Sequence, residues 1–207
     1  GGCWLAASQA ALAQSVPTHA NDQFEQLGTL LPTPNATRTA SGEPGPAYWQ
    51  QRADYDIHVV LDDDSQRVQA SEVITYTNNS PQTLRYLWLQ LDQNLFDPQA
   101  PGFVTQTGTL EGERARFDGG FRITAVNDQR GAPLSYVINQ TMMRVELPTP
   151  LKPTERTVFS VDWHYNINDI NKITARCGYE RFADGNCAYE IAQWFPRMAV
   201  YSDVTGW

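Results

Sequence analysis

Residues 54–59 of this 207-residue chain alternate without a break, and the apolar side continues to Leu61: Tyr55, Ile57, Val59 and Leu61 fall on one side, and Asp54, Asp56 and His58 on the other. A period of two matches a half-buried β-strand and is incompatible with a helix, whose apolar positions recur every three to four residues. DDDS at 62–65 reads as a turn. The run after it sets Val68, Ala70, Ile74 and Tyr76 against Gln69, Ser71, Thr75 and Thr77, so the two runs predict an antiparallel hairpin. Glu72 is the odd member of that second apolar face.

The pattern persists down the chain. Asn78-Asn79-Ser80-Pro81 supplies a turn, and LRYLWLQL then carries apolar residues on both faces, as a central strand covered on two sides requires. Residues 96–120 read as a long loop. Strand patterns return at 121–126, 134–138, 142–147 and 157–165, the last alternating Thr157, Phe159, Val161, Trp163 and Tyr165 with Ser160, Asp162 and His164. Some eight strands with turns between them, and no helix of convincing length, predict an all-β domain of two packed antiparallel sheets. A composition 41% hydrophobic and 18% charged suits a packed core and excludes disordered and collagen-like classes.

Before the first strand, 14–47 is rich in Thr, Pro, Asn, Ala and Gly with no apolar period and reads as a linker or extended arm. Residues 1–13 read as the back half of a secretory signal peptide ending in Ala11-Leu12-Ala13. The alternative takes Gly2-Cys3 as the end of a lipoprotein signal, with Cys3 lipidated. Either implies export to a periplasmic or extracellular location. The apolar run is too short for a transmembrane helix, which needs roughly 20 such residues. A net charge of -8 argues against a nucleic-acid partner, because that affinity rests on Lys and Arg neutralising phosphates.

Cys177 and Cys187 flank GYERFADGN. In an exporting pathway they are a disulfide candidate, and closing so short a loop contributes roughly 2.5 to 3 kcal/mol on the chain-entropy view. Two buried free thiols are the alternative. No catalytic or metal-ligating constellation is visible: His19, His58 and His164 lack a partner at ligand spacing, no HExxH or nucleophile elbow occurs, and Asp62-Asp63-Asp64 does not continue into a calcium loop. Sequons stand at Asn35, Asn78 and Asn139.

YEIAQWFPRMAVYSDVTGW at 189–207 and YWQQRADYDIHVVLDDDSQRVQASEVITYTNNSPQTLRYLWLQLDQN at 48–94 together resemble the N-terminal β domain of the aminopeptidase N family of zinc metallopeptidases, the gluzincins. The resemblance implies a saddle-like β domain over 48–207, truncated before a catalytic domain that would carry HExxH and the zinc. It implies no zinc, no catalytic residue and no activity in this stretch alone, with the missing catalytic domain as its partner. In that family the N-terminal domain lends an acceptor for the free amino group of peptide substrates. Here the matching candidates are Gln193, placed first, and Glu190; an ammonium in a closing cleft needs such acceptors. Trp194, Phe195 and Tyr201 read as packing, and Arg197 with Asp203 as a structural pair. A reading of another class is an exported β-sandwich module binding carbohydrate or protein through aromatics such as Trp49 and Trp88.

Overall fold

The computed structural model describes residues 34–100, 116–173 and 175–207. The leader expected at 1–13, Cys3, the arm up to residue 33 and the middle of the 96–120 loop lie outside those residues. The chain divides into two units, Gly1–Pro46 and Ala47–Trp207. Within the first, Asn35 Oδ1 accepts the backbone N–H groups of Thr37 and Arg38 at 2.8 and 2.9 Å, and Arg38 bridges to Pro44.

The second unit is all-β and antiparallel. Among the described residues its strands are β1 (Arg52–Asp62), β2 (Arg67–Thr77), β3 (Leu84–Gln90), β4 (Arg122–Asp128), β5 (Tyr136–Asn139), β6 (Met142–Leu151), β7 (Arg156–Asn166), β8 (Gly178–Arg181), β9 (Cys187–Glu190) and β10 (Arg197–Met198). One four-stranded sheet runs β1-β2-β7-β4, a second runs β10-β3-β6-β5, and β8-β9 form a separate ribbon. A 3-10 helix, Asp92–Phe96, follows β3 directly.

The predicted hairpin forms in an unbroken register from Arg52 opposite Thr77 to Asp62 opposite Arg67. Its turn is held by Asp62, whose carboxylate accepts from the Asp64 and Ser65 backbones and from the Ser65 hydroxyl; these Ser65 bonds hold the carboxyl below its usual range. Alternation then decides what is buried. Val68, Ile74 and Tyr76 of β2, Phe159, Val161, Trp163 and Tyr165 of β7, and Leu87, Leu89, Met143 and Val145 of the second sheet share one core. Burying a side chain of this size contributes about 1.5–3 kcal/mol, which makes this shared layer the main source of stability.

Glu72 lies in that layer at 0% exposure, between Ile57 and Val161 on the neighbouring strands, and neither carboxylate oxygen has a hydrogen-bond partner. Burial alone pushes its pKa up to about 8, so the group is neutral at pH 7. β3 sits between β10 and β6, with Leu87 and Leu89 inward and Tyr86 and Trp88 half-buried on the other side. Asn78 is buried, and its amide nitrogen donates to the carbonyls of Gln82 and Leu151 at 2.7 and 3.0 Å. That sequon is therefore closed to modification in the folded state.

Two expectations are corrected. GYERFADGN is not an irregular loop. It forms the β8-β9 hairpin, turned at Gly185 (φ 89) with Phe182 N–H on the Asn186 carbonyl at 2.9 Å. The expected Cys177–Cys187 bridge is absent, and both thiols are free. The hairpin register explains why: Cys187 pairs with Arg181, whereas Cys177 precedes Gly178, which pairs with Glu190. The two cysteines thus stand four residues apart along the ribbon, about 13 Å at strand rise, against a reach of under about 7 Å for a disulfide.

Candidate functional site

The region around Gln193 is built on short elements. β9 ends at Glu190, an irregular corner occupies 191–196, and β10 adds two residues to the edge of the second sheet, Arg197 opposite Gln90 and Met198 opposite Leu89. Two-residue pairing is too little to hold a segment, so side chains do most of the holding. The Arg197 guanidinium is bidentate on Asp92, at 2.8 Å from Nε to Oδ2 and 3.2 Å from Nη2 to Oδ1. Asp92 replaces the partner expected from sequence, Asp203. Hydrogen bonding to Asp92 pushes Arg197 further into its charged form. Met198 N–H donates to the Tyr55 phenol at 2.8 Å, and Ala199 N–H to the Trp88 carbonyl at 2.8 Å.

Apolar contacts fill in beneath. Pro196 is buried, Phe195 meets Tyr55 edge-on at 5.4 Å, and Trp194 lies 6.1 Å from Trp163 of the core. The aromatics read as packing from the sequence do pack. Trp49 stacks on Tyr201 at 5.6 Å and Trp88 meets Tyr86 edge-on at 6.4 Å, so both rings proposed as a carbohydrate platform are engaged with neighbours in their own chain.

Gln193 is exposed and stands in the left-handed region, with φ at 47. For a non-glycine residue that conformation costs about 1 kcal/mol and persists only where surroundings impose it. Here Gln93 imposes it. The Gln93 side chain, 5% exposed, donates from Nε2 to the Ala192 carbonyl at 2.8 Å and, at a longer 3.4 Å, to the Gln193 carbonyl. The buried Cys177 thiol lies against the same amide and against the Ala192 backbone; burial pushes the thiol pKa up, and those two hydrogen bonds oppose the shift. Gln193 is therefore held by its backbone, leaving its side-chain amide on the surface.

Glu190 is exposed at the end of β9, three residues earlier, and its charge also acts on the Cys177 thiol. The two candidates are thus neighbours of one buttress, Gln93 with Cys177. Gly178 makes the buttress possible: at φ 155, a Cβ there would meet the Asn168 carbonyl at 2.7 Å, and Asn168 Nδ2 in turn donates to the Cys177 carbonyl at 2.8 Å. Gln93 and Asp92 were not singled out from sequence. The signal was present in LDQN, polar residues directly after an apolar strand, where burial is costly unless hydrogen bonds are made.

Among the described residues, no group of three His, Cys, Asp or Glu side chains converges to hold a metal. His58 is exposed beside Asp56, and burial, followed by Arg67 and Arg122, lowers the pKa of His164. No helix among the described residues is long and apolar enough to cross a membrane.

No protein-family model matches the sequence, and no curated protein does. Among solved structures, the M1 zinc metallopeptidase of Deinococcus radiodurans is similar at 16% identity, covering 68% of this chain and 26% of that chain with a TM-score of 0.41. A mutant of the same metallopeptidase bound to a Tyr-Ser-Ala substrate is similar at 16% identity, over 65% of this chain and 25% of that chain, with a TM-score of 0.41. The chain thus spans about a quarter of the length of the solved structures it is similar to.

Proposed function

We propose that residues 48–207 are the noncatalytic N-terminal β domain of an exported zinc aminopeptidase-like metallopeptidase, and that their 190–198 corner helps to hold the free N-terminus of a peptide substrate. The observation that carries this reading is Gln193: an exposed amide on a left-handed backbone pinned from beneath by buried Gln93. Pinning of this kind keeps an acceptor in place before the ligand arrives, which lowers the ordering cost of binding. Oε1 of Gln193 would accept from the substrate ammonium, with the Glu190 carboxylate as a second, charge-complementary acceptor.

The zinc belongs to an adjoining catalytic domain with its own HExxH. This chain offers no ligand group for it among the described residues. When bound there, zinc polarises the scissile carbonyl and activates water. The role left to this domain is to position the amino terminus and to dock on its partner. Export, by a cleaved leader or by lipid on Cys3, is part of the same proposal.

In the full-length protein, Gln193→Ala should raise KM for peptides with a free N-terminus about tenfold while leaving kcat near its original value, the signature of a lost ground-state contact. Unchanged KM would remove Gln193 from the site. Measurable zinc-dependent hydrolysis of aminoacyl anilides by the 207-residue chain alone would overturn the domain assignment.

A further inference from the structure

β1 begins the order of its sheet, so among the described residues its outer edge carries no strand, and its eleven residues leave a row of main-chain groups unpaired there. Its far end also exposes apolar surface: Val59 is 49%, Val60 64% and Leu61 45% exposed. Edges of this length are usually guarded, since they template pairing with another chain. The guard here is a polar row, Arg52, Asp54, Asp56, His58 and Asp62, in which basic and acidic side chains are mixed.

The order of those side chains is self-complementary at every position but Asp54. When β1 is laid antiparallel on a second β1 with the two-fold axis through Ile57, Asp56 faces His58 of the second copy, and Arg52 faces Asp62. The apolar row then matches itself throughout: Ile57 on Ile57, Tyr55 on Val59, and Ala53 on Leu61. Moving the axis to Asp56 sets that carboxylate against itself, and moving it to His58 sets Asp54 against Asp62. The Ile57 register therefore combines two polar pairings with an unbroken apolar row, the cross-strand contributions that stabilise a sheet, and sets only Asp54 against an apolar residue, Val60.

We propose that β1 pairs with β1 of a second copy of this chain about Ile57, joining two four-stranded sheets into one of eight strands. The seam would add about ten main-chain hydrogen bonds and cover the exposed Val59 and Leu61 side chains. It is independent of the peptidase reading, because it uses no residue of the 190–198 corner. An isologous contact of this kind closes on itself and does not propagate into fibres.

Asp56 and His58 test the register, since both side chains are about four-fifths exposed, at 79% and 83%, and neither holds the fold. Sedimentation of the 207-residue chain from roughly 1 to 500 µM should show a monomer–dimer equilibrium, in the range expected of a modest interface. Asp56→Lys and His58→Asp should each weaken self-association about tenfold, because each places two unfavourable pairs across the seam. An equimolar mixture of the two variants should recover the original affinity within about threefold, since the ammonium introduced in one copy then faces the carboxylate introduced in the other. Amide exchange along β1 should slow as concentration rises. A chain that stays monomeric throughout, single variants that dimerise as tightly as the parent, or a mixture no tighter than its components would each overturn the proposal.

Discussion

The β2-β7 core and the 177–198 corner are held together in opposite ways. In the core, two eleven-residue strands pair along their full length and bury Ile74, Phe159, Val161 and Trp163 almost completely. That packing is redundant enough to tolerate a carboxyl, Glu72, with no hydrogen-bond partner. In the corner the strands are four, four and two residues long, and a few polar contacts, Gln93 on Ala192 and Arg197 on Asp92, stand in for packing. The core is robust and carries unsatisfied polar groups, the Glu72 carboxyl with the Tyr76, Trp163 and Tyr165 side chains; the corner rests on a few polar contacts that are made.

The sharpest way to expose the core's burden is pH. Glu72 has a folded pKa raised to about 8 against an ordinary 4.5, so the stability it permits is complete below about pH 4.5 and is lost as pH rises towards 8. The full loss, from linkage, is at most roughly 5 kcal/mol. Glu72→Gln should remove this slope, and the stability gap between variant and parent in urea titrations should widen from pH 4.5 to 8. Parallel curves would mean that Glu72 ionises freely in the fold.

Trp163→Ala strikes the point where the two regions touch, since its ring lies against Phe121, Tyr165 and Trp194. A loss of about 4 kcal/mol in denaturant midpoint analysis is expected. A loss under about 1 kcal/mol would show that core and corner are energetically separate. Gln93→Leu should cost about 1–2 kcal/mol by leaving the Ala192 carbonyl without its buried donor. Its effect should appear first as faster amide exchange at 191–198, not across β2 and β7. Uniform acceleration would deny the corner its local character. Smallest of all, Gln193→Gly should leave stability within about 1 kcal/mol of the parent or raise it slightly, because glycine occupies a left-handed backbone without penalty. Marked destabilisation would mean that the Gln193 side chain supports the fold and is not merely displayed by it.

Legibility differed along the same line. The β1-β2 hairpin and β7 could be read residue by residue because an inner face buried on one side forces a period of two, and Glu72 was visible as the exception. The ribbon at 178–190 reads as a loop in the sequence because its strands are four residues long and its half-buried face is marked by just Tyr179, Cys187 and Tyr189. For the same reason the cysteines looked poised to bridge, since spacing in a loop says nothing about which residues a hairpin sets opposite each other. Gln193 and Glu190 were found through resemblance, but their support from Gln93 and Cys177 spans about a hundred residues of chain in the first case and could not be read locally.

By itself, then, the sequence determined the class of fold, the hairpin that begins it and the identity of the main core faces, because alternation is a local pattern tied to the pleat of a single strand. Tertiary structure alone decided which polar groups meet: that Arg197 takes Asp92, that Cys177 lies under Ala192 instead of bonding Cys187, and that Gln193 is turned left-handed over Gln93. Those outcomes depend on where distant strands come to rest against one another, and no period in the chain records that.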